Sequence, residues 1–462
     1  MPKFVICFAQ AHLNFRLAEL RSLAIIENVT LDFDQKDLLE QSPFLVVGID
    51  TVENAKKLLN RAILIKEIIQ LWAADDTLEG ILLKAKNLPA EYFAPYRTSS
   101  FKFDISVFGS TLAIPDQVEQ INRFKFLPLE GKIDLKKPEI VFTVYQDFYA
   151  NANPKDIPDK PVRLFFGPFL ATSNRGLIQT YDLKKRDYLG TTSMDAELSL
   201  IMSNIALARP GSFVLDPFVG TGSFLLTSSH FGAFTLGADI DGRQIRGKGN
   251  NKNIESNAVQ YDLTNRILGT VVCDIAHHPW RETEFWDAIV CDPPYGVRAG
   301  AKKIAVNPKS LPKTSVLNPD GTYKLPQTIP YELDDVLTDL LSFAAKYLTP
   351  GGRLVYWLPT VTETYDPKDV PRHKRMRMID NCEQDFGKWA RRLIVMEKLQ
   401  QHEPDLDLDA LLVEIEKGIQ GVNALDEQDM RVGDDGLVTL IDNPAHAKFR
   451  NHYFNIGEGE TQ

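Results

Sequence analysis

The chain has 462 residues, 44% of them hydrophobic and 25% charged, with a formal net charge of −10. That length exceeds a single typical core and implies roughly two to three domains. The acidic balance excludes a protein that coats nucleic acid without specificity, but it leaves room for a nucleic-acid enzyme with local basic patches and for a second subunit.

In chain order, FVICFAQ reads as a strand, FRLAELRSLAIIENV as an amphipathic helix and PFLVVGI as a strand. VENAKKLLNRAILIKEIIQLWA reads as a helix followed by a further apolar stretch, so residues 1–75 form a small α/β unit. Residues 76–175 form a second unit: SSFKFDISVFG alternates with period two, QVEQINRFKFL is a short helix, and PEIVFTVYQDFY and VRLFFGPFLA are strands. Residues 176–190 are a linker, in which Lys184, Lys185 and Arg186 read as a solvated charge run.

Residues 191–400 read as a Rossmann-like series of strands and helices. MDAELSLIMSNIALA is a helix, GSFVLDP a buried strand, SFLLTSSHFGA a helix, and TLGADID, GTVVCDI and FWDAIVCDPPY are the next three strands. LDDVLTDLLSFAAKYL is a long helix, GGRLVYWLP a fifth strand and RRLIVMEK a late strand of the same sheet. Residues 301–330, rich in Pro and Lys and without periodicity, form a long functional or disordered loop. The acidic extension over 401–462 holds one helix, LDALLVEIEKGI, and an aromatic-basic end, KFRNHYF.

Four cysteines without any CxxC pair point to reduced thiols in a cytoplasmic protein, with no disulfide framework and no metal site. No apolar run is long enough to cross a bilayer, so no membrane partner is expected.

Two stretches carry the chemistry. In VLDPFVGTGSFLL a buried strand ends at Asp216 and turns through Gly220 and Gly222 into a helix, where backbone can approach a ligand closely. This is not GxGxxG. Asp239 and Asp241 close the second strand, near the spacing at which an acid meets ribose hydroxyls, and Asp274 closes the third, where a carboxylate can accept from an adenine amine. These acids and the glycine turn suit S-adenosyl-L-methionine. CDPPYGVRAG ends the fourth strand. An exocyclic amine is a poor nucleophile because its lone pair is delocalised. A site that accepts hydrogen bonds from its N–H groups frees that lone pair for attack on a methyl group. Asp292 supplies one acceptor, the Pro293 carbonyl another, and Tyr295 a face on which a flipped-out base stacks.

GTTSMDAELSLIMSN, VLDPFVGTGSF, LGADID and CDPPYGVR together resemble the class I S-adenosylmethionine-dependent amino-methyltransferases. Residues 183–233 are most similar to the catalytic subunits of the eukaryotic tRNA guanosine-10 N2-methyltransferases, and HLNFRLAEL, SSFKFDISVFG and INRFKFLPLEGKIDLKKPE extend the similarity. The resemblance implies an α/β architecture: an N-terminal ferredoxin-like unit, then a THUMP RNA-binding domain, then a Rossmann-like catalytic domain. It implies that Asp292, Pro293 and Tyr295 act on a guanine amine in tRNA. Asp216, Gly220 and Gly222, closed by Thr192 and Ser193, would hold the methionine end of the cofactor, Asp239 and less directly Asp241 the ribose, and Asp274 the adenine. It also implies a heterodimer with a small zinc-binding methyltransferase activator subunit.

DPPY alone does not separate this substrate from adenine N6 in DNA, guanine N2 in ribosomal RNA or a protein glutamine amide. A noncatalytic RNA-binding subunit is a further alternative, against which the intact acids and glycines count. His277 and His278 read as loop residues without acidic partners, Cys273 and Cys291 as small core residues, and RHKRMR (372–377) equally as solvated surface or a phosphate contact.

Overall fold

Strands of the N-terminal half follow from apolar runs bounded by turn residues, and capping threonines start two of its helices. The computed structural model describes residues 1–39, 41–148, 158–249, 251–295, 301–304, 328–407, 430–432 and 437–440. The helix and aromatic end expected in the 401–462 extension, and most of the 301–330 loop, lie outside the described residues. The chain divides into two compact units, Met1–Leu177 and Ile178–Gln462.

The first unit runs β1 (Lys3–Phe8), α1 (Arg16–Glu27), β2 (Leu31–Asp32), β3 (Phe44–Ile49), α2 (Val52–Leu59), β4 (Ile65–Gln70), β5 (Ala73–Asp75), α3 (Leu78–Lys86), β6 (Phe101–Phe108), α4 (Ile114–Asn122), β7 (Ile140–Asp147) and β8 (Arg163–Thr172). The first four strands lie in the order β2-β3-β1-β4 with every pairing antiparallel, the split βαβ arrangement of a ferredoxin-like unit. β8 pairs with both β4 and β7, so the two segments read separately from the sequence share one sheet. Thr51 and Thr77 cap α2 and α3 by accepting the N–H of Asn54 and Gly80, each at 3.1 Å. β5 and α3 were not read from the sequence.

α1 is not the simple amphipathic helix that its spacing suggests, because Arg16 and Glu19 are both buried. Burial is tolerated because their charges meet backbone: Arg16 donates to the carbonyls of Ala9 and Ser42, and Glu19 accepts the N–H groups of Ile63 and Leu64.

After the short helix α5 (Gly176–Thr180), the second unit runs α6 (Ala196–Ile205), β9 (Phe213–Asp216), α7 (Ser223–His230), β10 (Phe234–Asp239), α8 (Gly242–Arg246), α9 (Ile254–Gln260), β11 (Ile267–Val272) and β12 (Trp286–Cys291). It continues with β13 (Lys302–Ile304), β14 (Thr328–Pro330), α10 (Leu333–Tyr347), β15 (Leu348–Val361), β16 (Arg372–His373), β17 (Met376–Asp385), β18 (Trp389–Lys398), β19 (Met430–Val432) and β20 (Leu437–Leu440). Its large sheet has the order β11-β10-β9-β12-β15-β18-β17-β16-β20-β19. The strands from β11 to β15 are parallel, and β18 runs antiparallel to β15. α10 buries Leu333, Val336, Leu337, Leu340, Leu341 and Ala344, whose spacing forms one stripe facing the core. β13 and β14 form a separate antiparallel pair.

RHKRMR is neither a free surface run nor an open phosphate contact. It supplies β16 and the start of β17, with Arg372 and His373 buried. Its other cations are neutralised locally: Lys374 and Arg375 pair with Asp405, Arg377 pairs with Glu403, and Arg375 also donates to the carbonyls of Leu399, Gln400 and Glu403.

Candidate active site

Strand order reverses beside β9, since β10 follows it on one side and β12 flanks it on the other. In an open α/β sheet such a switch point leaves a crevice outside the carboxyl ends of the strands. Asp216, Asp239, Asp274 and Asp292 lie at or just past those ends, on β9, β10, β11 and β12. Four acids far apart in sequence are therefore brought to one edge of the sheet.

The turn after β9 is bound to the acid that closes β10. Asp216 accepts the N–H of Phe218 at 3.0 Å, and Asp239 accepts those of Gly220 at 2.9 Å and Asp241 at 2.8 Å. Gly220 and Gly222 have φ of +48° and +82°, a region that side chains rarely adopt. A Cβ placed on Gly220 would meet open space, whereas one on Gly222 would press on Ile254 at 3.2 Å. Ser193 is fastened to this turn, its Oγ 2.6 Å from the Thr221 hydroxyl and 3.0 Å from the Gly190 N–H. Thr192 is exposed.

Asp241 is engaged by Arg243. It caps α8 through the Arg243 N–H and holds the Arg243 guanidinium through both carboxylate oxygens at 2.8 Å. Asp274 is buried, and its oxygens accept the Ile304 N–H at 2.7 Å and the His277 N–H at 2.5 Å. The His277 ring, read from the sequence as lacking an acidic partner, lies with Nδ1 3.1 Å from Asp274. The chain turns at Asp274 and brings the ring of His277 back over that carboxylate. Pro217, Ala238, Cys273, Asp274, Ile275, His278, Trp280 and Phe343 line a small crevice here. Cys273 and Cys291 are buried, and burial pushes the Cys273 thiol up to about 11.

The DPPY turn continues β12, which pairs with β9 and β15. Asp292 is half-buried as a residue, but its Oδ1 is cut off from solvent and has no hydrogen-bond partner among the described residues. Burial pushes its carboxyl up to about 6, against the opposing pull of the Arg391 guanidinium and the Tyr295 hydroxyl. Tyr295 packs partly into the core and interacts through its hydroxyl with Asp292 and Arg391. Burial also holds Asp216 and Asp239 above the usual carboxylate range, and charge repulsion adds to it, from Asp239 and Asp292 at Asp216 and from Asp241 at Asp239. The site is an acidic, desolvated pocket edge that a positively charged ligand would neutralise.

Two residues near this edge escape sequence reasoning. Arg391 reads only as part of a strand: with Arg392 it precedes the continuous apolar run LIVM, and nothing in that pattern marks it as a site residue. Arg186 is not solvated: it is 4% exposed and donates to Ser223 Oγ at 2.8 Å, beneath the start of α7.

Comparison with known proteins places this geometry in a family. Residues 2–175 match a domain described as the Tmrp11 THUMP N-terminal domain, and residues 184–307 match the RMKL-like methyltransferase domain. The tRNA (guanine(10)-N(2))-methyltransferase of Saccharomyces cerevisiae is 39% identical over 406 residues, covering 86% of this chain and 93% of the yeast protein. The Homo sapiens tRNA (guanine(10)-N(2))-methyltransferase TRMT11 is 36% identical over 445 residues, covering 93% and 95%. Among solved structures, TrmN from Thermus thermophilus is 19% identical with a TM-score of 0.41, covering 86% of this chain and 100% of its own. The chain, with its THUMP-bearing first unit and its methyltransferase second unit, belongs to the tRNA (guanine(10)-N(2))-methyltransferase family.

Proposed function

We propose that this enzyme methylates the exocyclic N2 amine of guanine 10 in tRNA, with S-adenosyl-L-methionine as methyl donor. The observation that carries the reading is the Asp292 carboxylate, whose Oδ1 is sheltered from water and, among the described residues, unpartnered in a turn stiffened by two prolines. A buried acceptor without a donor is costly, and an amine N–H would satisfy it. Asp292 and the Pro293 carbonyl together accept from the amine, favour a pyramidal nitrogen and direct its lone pair outward. Asp292 is also placed to take the proton that the nitrogen sheds. Tyr295 offers its ring to the flipped-out base.

The donor supplies a methyl group on a positively charged sulfur. The residues present fit it: Asp216 and Asp239 are acids that burial has made receptive to a cation, and the Gly220 backbone faces open space. In this reading Asp216, Gly220 and Gly222, with Thr192 and Ser193, hold the methionine end. Asp239 takes the ribose, with Asp241 a weaker candidate because Arg243 occupies it, and Asp274 takes the adenine amine.

The same proposal assigns residues 1–75 and 76–175 to RNA binding, 176–190 to a linker, 191–400 to methyl transfer and 401–462 to an extension. It includes a cytoplasmic heterodimer with a small zinc-binding activator subunit. Edge strand β11 supports a partner, since among the described residues one side of its backbone has no neighbouring strand and its Leu268 and Val272 are 51% and 54% exposed. Among the described residues, no helix is long and apolar enough to cross a membrane.

The test is methyl transfer to bulk tRNA, with and without the activator, followed by nucleoside analysis. N2-methylguanosine is the expected product, abolished by Asp292→Ala with cofactor affinity retained. A methylated adenine or glutamine, or near-normal activity of Asp292→Ala, would overturn the reading.

A further inference from the structure

Among the described residues, the cation that faces Asp292 comes from two strands away. β12 and β15 pair with Cys291 opposite Tyr356, so Trp357 is the β15 residue next to Asp292 in register. β15 and β18 pair with Pro359 opposite Arg391 and Trp357 opposite Leu393. Trp357 and Arg391 therefore share one face of the sheet, and the Arg391 guanidinium lies 4.2 Å from the Trp357 ring centroid. Gln384 on β17 accepts from Arg391 Nε at 2.6 Å, which leaves the other guanidinium N–H groups for Tyr295. An arginine held between an indole face and an amide has lost most of its rotamer freedom, so its charge is fixed in place.

We propose that Arg391 is a positioning residue of the methyl-transfer site, holding the Tyr295 hydroxyl and keeping a fixed positive charge beside the Asp292 carboxylate. The inference rests on the reading of Asp292 as acceptor of the substrate amine. The titratable and charged groups around Asp292 are Asp216 at the end of β9, Cys291 on its own strand with Tyr356 of β15 beside that thiol, Tyr295, and Arg391 on β18. Burial disfavours the Asp292 charge, and Arg391 counters it. Without it, more of Asp292 would be protonated near neutrality and unable to accept from the amine.

The experiment compares wild-type enzyme with Arg391→Met, Arg391→Lys and Gln384→Leu, each as the active complex, over pH 5.5 to about 9. For Arg391→Met the acid limb of the kcat profile moves upward by about one unit, activity near pH 6.5 falls about threefold and activity returns at high pH. Arg391→Lys keeps the limb near its wild-type position, and S-adenosylmethionine affinity changes less than about twofold in both. Gln384→Leu, which only loosens the guanidinium, moves the limb in the same direction by less and serves if Arg391→Met does not fold. An unmoved limb, or an equal loss at every pH, overturns the role of Arg391. Failure of the underlying reading looks different: Asp292→Asn would then remain active or the wild type would show no acid limb.

Discussion

Gly220 donates its backbone N–H to the Asp239 carboxylate at 2.9 Å, so the glycine turn after β9 and the acid closing β10 are one construction. Asp239→Ala removes both a candidate ribose acceptor and the bond that holds the turn. We predict at least an about tenfold loss of S-adenosylmethionine affinity, read by calorimetry, and a smaller loss for Asp241→Ala, whose carboxylate is engaged by Arg243. Equal losses would move the ribose contact to Asp241.

Burial pushes the Asp292 carboxyl from its ordinary 3.8 up to about 6. Its carboxylate form is the working form, so kcat falls as pH drops through about 6. The stability effect has the opposite sign. The fold prefers the protonated acid, so ionisation costs stability as pH rises from 3.8 through about 6. Asp292→Asn should be inactive yet more stable at pH 7.5 than the wild type, by roughly 1–3 kcal/mol, with the gain vanishing in acid. Denaturant titration at two pH values measures it.

Leu340 is fully buried on the apolar stripe of α10, against β12 and β15. Leu340→Ala leaves a cavity that this packed core refills only in part and should cost about 2–5 kcal/mol. Thermal unfolding of the second unit should shift downward while the first unit is unaffected.

Asp147 is buried and accepts from Ser42 at 2.6 Å and from Arg163 at 2.8 Å, joining the β2–β3 loop to β7 and β8. Asp147→Ala strands the Arg163 charge and should destabilise the first unit by about 3–5 kcal/mol. Loss of tRNA binding with retained S-adenosylmethionine binding would follow from its unfolding.

What the sequence made legible was local. Period and length identified α6, β9, α7, β10 and β12, and the acids at the strand ends were visible because each ends an apolar run. What it hid was the fate of charged side chains. Arg16, Glu19 and Arg186 are buried because distant backbone or hydroxyl groups meet them, and no pattern in their own segments announces that. Arg391 is the functional instance, since its position depends on a three-strand register that spans β12, β15 and β18. β5 and α3 were missed for a related reason: β5 has only three residues and exists through its pairing with β8.

The most direct test of the central claim uses two tRNA transcripts that differ at one atom group, one with guanosine at position 10 and one with inosine, which lacks the 2-amino group. N2-methylguanosine is expected at position 10 of the first, with no methyl transfer to the second. Equal methylation of both would contradict it.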